Sequence, residues 1–194
     1  IVNDGSDDLF TLKEINRFKD IILFNQINRG LPAARNKGFE LASGKFILPL
    51  DADDWLEANA VEIMIDKLEA NKSLSFVYTD LKLEGKSQKI LSKEFNYFEQ
   101  LFLNHIPYCL MIYKKVWQEL GGYDEKFIKG YEDWEFNLRL LKNNFIGERI
   151  KLPLFHYFIS DQGMLLSKSS KLHSEVWKSI RDKNEDTYLS LIHI

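Results

Sequence analysis

A short apolar segment that ends in three carboxylates places the strongest constraint on the fold of this chain. Residues 46–50 have the composition of a buried strand, and Asp51, Asp53 and Asp54, which we call the acidic tip, follow it directly. In an open α/β sheet, ligands bind beyond the carboxyl ends of the strands, where such side chains would meet them. Acidic residues also favour turns and helix N-termini, so capping is the alternative interpretation.

Strand and helix patterns alternate along the first half of the chain. The pattern predicts strands at 1–2, 21–24, 46–50 and 74–79, and helices at 9–18, 32–43 and 61–68. Downstream we expect a polar surface excursion at 81–93, a short helix at 98–103, a buried strand at 109–113, and helices at 116–120 and 132–143. This alternation predicts an α/β fold, in which a mostly parallel central sheet lies between layers of helices.

Composition narrows the classes of function. The 194 residues are 45% hydrophobic, which is enough for one sizeable core, and the formal net charge of -3 provides no basic field for nucleic acid. No apolar window approaches the length of a membrane span. The single cysteine, Cys109, excludes an internal disulfide framework and a cysteine-based zinc site, and it fits a reducing, cytoplasmic compartment.

The C-terminal segment, residues 166–194, has the pattern of an amphipathic helix rich in basic residues. Leu172, Val176, Trp177 and Ile180 fall on one helical face. Docking of this face on the rest of the chain is one interpretation. Weak attachment to an anionic membrane surface, at the inner face of the cell membrane, is the other.

Two polar segments lie near the predicted strand ends. Asn3 and Asp4 end the first strand at a glycine turn and could meet a base or ribose, although an Asx-type turn explains them equally. Arg35 lies in the first turn of a helix, where the helix dipole disfavours a cation. That placement indicates an anionic or carbonyl-bearing partner, or an ion pair with an acid on a neighbouring loop.

Carboxylates supply the remaining candidates. Asp51 and Asp53 are one residue apart, so an extended segment would project both to one side, where they could share Mg²⁺ or Mn²⁺. Glu132 and Asp133 open a helix, where acids complement the dipole or serve as a general base. His156, between aromatic residues on a predicted strand, is either a further metal ligand or a structural residue.

Four motifs in order resemble those of family 2 glycosyltransferases with the GT-A fold. They read DGSDD, NRGLPAARNKGFELASG, DADD and GGYDEKFIKGYEDWEF, and the resemblance covers residues 1–165. It implies a nucleotide-sugar donor, most often a UDP-sugar, and Mn²⁺ or Mg²⁺ at the diphosphate. It further implies inverting transfer to the hydroxyl of a saccharide or lipid-linked acceptor, in the synthesis of surface polysaccharide or glycoconjugates.

The resemblance also assigns roles to single residues. It implies that Asp133 is the general base and that Asp53 and Asp54 are metal ligands, and we keep His156 as a further candidate ligand on the strand pattern alone. The substrate-binding residues that it implies are Asn3 and Asp4 at the nucleoside, Arg35 near the base, Asp51 at the ribose and Glu132 in the acceptor region.

One feature departs from the family pattern. Family members begin with an apolar strand and a helix that have no counterpart before Ile1. We therefore expect an N-terminally truncated GT-A-like domain at 1–165, followed by the amphipathic tail at 166–194. The alternative is a noncatalytic remnant of the same fold that acts as a binding module.

Overall fold

The computed structural model describes residues 1–160 and 172–192. The strands are β1 (Val2–Asp4), β2 (Phe24–Gln26), β3 (Phe46–Ile47), β4 (Trp55–Leu56), β5 (Leu74–Gly85), β6 (Ile90–Leu91), β7 (Leu110–Tyr113) and β8 (Ile146–Ile159). The helices are α1 (Leu9–Ile15), α2 (Leu31–Leu41), α3 (Ala60–Ala70), α4 (Tyr97–Gln100), α5 (Lys114–Glu119), α6 (Glu132–Lys142), α7 (His173–Lys183) and α8 (Glu185–Ile192). The predicted α/β class is confirmed.

The strands form a small parallel pair and a larger mixed sheet. β1 and β2 pair in parallel, whereas the larger sheet runs in the order β3-β7-β5-β8-β4, with β6 paired to β5. β5 and β8 are parallel to each other, and the remaining ladders of the larger sheet are antiparallel. The larger sheet is therefore mixed.

The long strand β5 shows why helices cover both faces of this sheet. Successive side chains of a strand point to opposite faces. Phe76 and Tyr78 pack on one face, against a cluster that includes Phe136 of α6. Val77, between them, packs on the other face, against Met64 of α3. Two apolar clusters, one on each face, produce the predicted three layers.

The predicted surface excursion at 81–93 does lie largely at the surface, but much of it is a β-hairpin. β5 continues through Leu81 to Gly85, turns there with a positive φ of 82°, and returns as β6. The partner that makes this polar segment a strand is β8, which pairs with β5 along its whole second half. Strand formation depends on such partners more than on local composition.

The tail helix α7 docks on the rest of the chain. Val176 and Ile180 are buried against Trp134 and Leu138 of α6. The indole Nε1 of Trp177 donates a hydrogen bond to the carbonyl of Leu101 at 3.1 Å. The docking interpretation is therefore confirmed for α7. The predicted boundary between 165 and 166 lies outside the described residues.

No helix in the described ranges, 1–160 and 172–192, has the length and apolar character that a membrane span requires.

Candidate active site

A cavity of about 370 Å³ gathers several of the predicted site residues from distant parts of the chain. α2 contributes Arg35, the loop after β3 contributes Asp51, and the start of α6 contributes Glu132 and Asp133. Leucine side chains from the β5–β6 hairpin and the ring of Tyr108 complete much of the wall. The cavity thus joins acidic groups to an apolar surface.

Arg35 is the centre of this cluster. Its Nη2 donates to both carboxylate oxygens of Asp51 at 2.8 Å, and its Nη1 donates to Oε1 of Glu132 at 2.5 Å. The guanidinium carbon lies 4.3 Å from the centroid of the Tyr108 ring. Burial alone would lower the pKa of Arg35, but Asp51 and Glu132 outweigh it and raise that pKa. Of the two interpretations of Arg35, these contacts agree with the ion pair.

The acidic pair at the start of α6 is held in a buried setting. Tyr131, the residue before the helix, has a left-handed backbone with φ 65°, which few residues other than glycine adopt. Burial raises the pKa of both Glu132 and Asp133, and the mutual repulsion of their charges adds to the effect on Glu132. A carboxylate with a raised pKa is a stronger proton acceptor than an ordinary one.

Asp133 is oriented by two donors. Its Oδ1 accepts from the backbone N–H of Trp134 at 2.8 Å, and its Oδ2 accepts from Nδ2 of Asn104 at 2.8 Å. Each oxygen keeps further acceptor capacity, since a carboxylate oxygen has more than one acceptor site. The side chain lines the cavity, so it can take a proton from a hydroxyl bound there.

Tyr108 organises the acidic tip. Its hydroxyl accepts from the backbone N–H of Asp51 at 3.0 Å and donates to Oδ2 of Asp54 at 2.5 Å. The other oxygen of Asp54 accepts from the N–H of Phe158 at 2.7 Å. Burial raises the pKa of Asp54 to about 6. Tyr108 is not among the residues predicted from the sequence, because no local pattern marks a tyrosine that is far along the chain from the carboxylates it contacts.

Asp53 differs from its two acidic neighbours. In the part of the chain that the structure describes, its carboxylate has neither a hydrogen bond nor an ion pair, and the residue is exposed. No group of three or more acidic, histidine or cysteine side chains in those residues is arranged to hold a metal. Mg²⁺ is often bound by one or two carboxylates together with substrate phosphates. The carboxylates present here fit a cation whose remaining ligands are a substrate and water.

His156 is not brought to the acidic tip. Its Nδ1 lies 2.9 Å from Oε1 of Glu84, and its Nε2 lies 2.9 Å from Oε1 of Glu57. The neighbouring Phe155 and Tyr157 line the cavity, so the alternation of β8 directs His156 to the other face. Both ring nitrogens already have carboxylate partners.

Asn3 and Asp4 hold turns near the cavity without lining it. Oδ1 of Asn3 accepts from the N–H of Ser6 at 3.0 Å, which is the Asx-type turn of the alternative interpretation. Asp4 accepts from the N–H groups of Arg29 and Gly30 at 2.9 and 2.8 Å. These bonds fix the loop that begins α2, and thereby the start of the helix that carries Arg35.

A second group of hydrogen bonds connects α2 to the segment before α6. The side chain of Asn36 donates to the carbonyl of Tyr123 at 2.9 Å and accepts from its N–H at 2.8 Å. Gly122, which precedes Tyr123, has a φ of 75°. A Cβ at Gly122 would come within 2.7 Å of Oδ1 of Asn36. Only glycine leaves room for this contact, so the GGY sequence holds α2 against the segment that precedes α6.

Comparisons with known proteins identify the family of the chain. A family model described as glycosyl transferase family 2 matches residues 1–130, ending just before Glu132. An uncharacterised glycosyltransferase of Methanocaldococcus jannaschii is 29% identical over 94% of this chain and 67% of its own length. Chondroitin synthase of Pasteurella multocida is 29% identical over 72% of this chain and 15% of its own length.

Solved structures show the same fold. The crystal structure of S. aureus TarS residues 1–349 in complex with UDP-GlcNAc superposes with a TM-score of 0.72 at 16% identity. It covers 86% of this chain, which spans 50% of the TarS chain. The family match includes the acidic tip and the helix of Arg35, and the structural match covers most of the chain. The chain is therefore a member of glycosyl transferase family 2 and has the GT-A fold of these enzymes.

Proposed function

We propose that this chain transfers a sugar from a nucleotide-diphosphate donor to an acceptor hydroxyl, with inversion at the anomeric carbon. The observation that carries the proposal is the cavity in which Arg35, Asp51, Glu132 and Asp133 meet. These residues come from three segments that are far apart in the sequence. A purely structural ion pair would need only one carboxylate for Arg35, whereas this cavity surrounds the arginine with several acids.

A uridine nucleotide is the proposed donor. TarS, which shares the fold, has been crystallised with UDP-GlcNAc and with UDP. Asp51 follows β3 at the cavity wall, where we place the ribose, and Arg35 holds its carboxylate in a fixed orientation. Asn3 and Asp4, at the end of β1, are the proposed neighbours of the nucleoside.

Mn²⁺ or Mg²⁺ is the proposed cofactor, and Asp53 is its proposed protein ligand. A divalent cation at this position supplies positive charge to the diphosphate as it leaves. Asp54 is held by Tyr108 and Phe158 and lies beside Asp53, so it contributes negative charge and a fixed backbone. His156 is left out of the proposed site because both of its ring nitrogens are occupied by glutamates.

Asp133 is the proposed general base. It accepts the proton of the acceptor hydroxyl, whose oxygen forms the new bond to the anomeric carbon. The bond from that carbon to the diphosphate oxygen breaks, and its electron pair leaves with the nucleoside diphosphate. Attack from the face opposite the leaving group inverts the configuration and needs no enzyme nucleophile. Glu132 retains its ion pair with Arg35 and borders the acceptor.

The acceptor is proposed to be a saccharide or a lipid-linked sugar. Relatives of this chain include polysaccharide synthases such as chondroitin synthase. Surface polysaccharide synthesis from cytoplasmic donors is consistent with that relationship. The apolar face of α7, which the sequence offered for membrane attachment, is packed on α6, so a membrane contact would have to use another surface.

Calorimetric titration with UDP tests the donor and metal assignments. We expect binding by the wild-type chain with Mn²⁺ and at least about tenfold weaker binding with EDTA, since a cation held by Asp53 would offset the negative charge of the diphosphate. Asp53→Ala should bind as weakly with Mn²⁺ as the wild type does without it. Asp66→Ala, which removes an exposed carboxylate of α3, is the control and should bind like the wild type. Equal affinity with and without metal would refute the metal assignment.

Transfer measured with Asp133→Asn tests the base. The variant should keep the UDP affinity of the wild type and lose at least about a hundredfold in transfer, the scale of general base catalysis. Asp66→Asn is the matched control. Donor binding without any transfer by the wild-type chain would favour the noncatalytic alternative, whereas normal transfer by Asp133→Asn would exclude Asp133 as the base.

A further inference from the structure

A chain of three side-chain amides runs from α4 and α6 to the carboxylate of Asp133. Nε2 of Gln100 donates to Oδ1 of Asn104 at 2.8 Å, and Nδ2 of Asn137 donates to the same oxygen at 3.1 Å. Nδ2 of Asn104 then donates to Oδ2 of Asp133 at 2.8 Å. Gln100 and Asn137 are fully buried, so water cannot replace these bonds.

Backbone groups fix the direction of each hydrogen bond between these three amide side chains. Oε1 of Gln100 accepts from the N–H of His105 at 2.7 Å, so the other end of that amide must be the donor. Nδ2 of Asn137 donates to the carbonyl of Ile106 at 3.0 Å, which fixes its orientation as well. The oxygen of Asn104 therefore faces two N–H groups, and its own NH₂ group must face Asp133.

On this basis we propose that Asn104 is a positioning residue for the base, which fixes the orientation of the Asp133 carboxylate and stabilises its charged form. This inference rests on the proposed function, in which Asp133 is the base. Two effects on the pKa of Asp133 oppose each other. Burial raises this pKa, and the hydrogen bond from Asn104 lowers it. Without that bond, the base would hold its proton to higher pH.

Other charged or titratable groups also face Asp133. They come from α6, α2, β8, α7 and the segment that precedes α6, and none of them is substituted when only Asn104 is changed. They are Glu132, Arg35, Tyr123, Tyr131, Tyr157 and His173. A change in pH dependence when Asn104 is replaced by uncharged alanine therefore reports the loss of its hydrogen bond.

Asn104→Asp is the sharpest variant. It keeps the oxygen that accepts from Gln100 and Asn137, but it places an oxygen where Asp133 now meets an N–H. Two carboxylates at that distance share a proton. We expect the acid limb of the pH profile of kcat to move at least one unit toward higher pH. The KM for the donor should stay within about twofold of the wild-type value, because the Arg35–Asp51 pair is not touched.

Asn96→Asp is the matched control. Asn96 belongs to the same segment, is exposed, and caps α4 through its Oδ1 at 3.0 Å from the N–H of Glu99. Aspartate caps a helix as well as asparagine does. This variant carries the same charge change away from Asp133, so its pH profile should match that of the wild type.

A titration without turnover separates this inference from the proposed function. In protein with ¹³C-labelled aspartate carboxyl groups, the Asp133 resonance should titrate at higher pH in Asn104→Asp than in the wild type. Asn104→Ala removes the hydrogen bond without adding a charge, so it tests the bond itself, and it should shift the resonance in the same direction by a smaller amount. An unshifted Asp133 titration in a folded variant would overturn the inference, even if the wild-type chain transferred no sugar.

Discussion

At the scale of single residues, the hydroxyl of Tyr108 joins the acidic tip to the cavity wall. It bonds to both Asp51 and Asp54, and its ring lies on Arg35. Tyr108→Phe keeps the ring but leaves buried polar groups without a partner. We expect a loss of about 1–3 kcal/mol in the free energy of unfolding, measured by urea denaturation.

Tyr113→Phe is the control for that measurement. The hydroxyl of Tyr113 donates to the carbonyl of Leu68 at 3.3 Å, a longer bond to an uncharged acceptor. Its loss should cost less than about 1 kcal/mol. If both variants lost the same stability, the charged contact to Asp54 would have no special role.

Asp54 makes stability depend on pH in a definite direction. Burial raises its pKa from the ordinary 3.8 to about 6, so the folded chain binds a proton more readily than the unfolded chain between these values. The contribution is therefore present below pH 4 and is lost as the pH rises through 6. From pH 4 to pH 6.5 it should decrease the free energy of unfolding by roughly 1–3 kcal/mol.

Comparison of the wild type with Asp54→Asn isolates this effect. The free energy of unfolding is measured by urea denaturation at several pH values in EDTA, so that no cation changes the charge at the tip. Asparagine does not titrate, so the difference between the two proteins should change across the stated range. A constant difference would show that Asp54 is ionised alike in the folded and unfolded chain.

At the scale of elements, the turn before Tyr123 connects α2 with α6. Gly121 and Gly122 both have positive φ, at 74° and 75°. A Cβ at Gly121 would meet nothing within 4 Å, whereas one at Gly122 would come within 2.7 Å of Asn36 and 3.1 Å of the Trp117 ring. Alanine at either position would be strained by the positive φ. Only Gly122→Ala would add a steric clash.

Gly121→Ala should therefore cost about 1 kcal/mol, from strain alone. Gly122→Ala should cost roughly 1–3 kcal/mol more, because the packed neighbours must shift. Thermal or urea unfolding of both variants provides the comparison. Equal losses would mean that Asn36 and Trp117 move aside freely, and that the turn does not hold the two helices at a fixed distance.

At the scale of the whole molecule, α7 packs on the main body in the part of the chain that the structure describes. Ile180 is fully buried in the cluster that includes Trp134 and Leu138. Ile180→Ala should reduce the free energy of unfolding by about 2–5 kcal/mol in a single transition. Lys178→Ala, on the exposed face of the same helix, should change it by less than about 0.5 kcal/mol. An unchanged main transition in Ile180→Ala would indicate a tail that folds independently.

Much of the element order followed from the sequence. Helix α2 was predicted at 32–43 and runs from Leu31 to Leu41, because its proline start and glycine stop are local signals. The strand β5 was predicted at 74–79 but extends to Gly85. Its second half is recognisable only through its pairing with β8, which is distant in the chain.

Local sequence patterns were enough to predict the α/β fold and the residue types of the site, because strand alternation, helix caps and clustered acids are properties of short segments. The partners of these acids depend instead on contacts between distant segments. Arg35 pairs with both Asp51 and Glu132, and Asn104 bonds to Asp133. His156 lies instead between two glutamates. The physical reason is that burial, charge pairing and hydrogen bonding depend on neighbours that folding brings from distant positions.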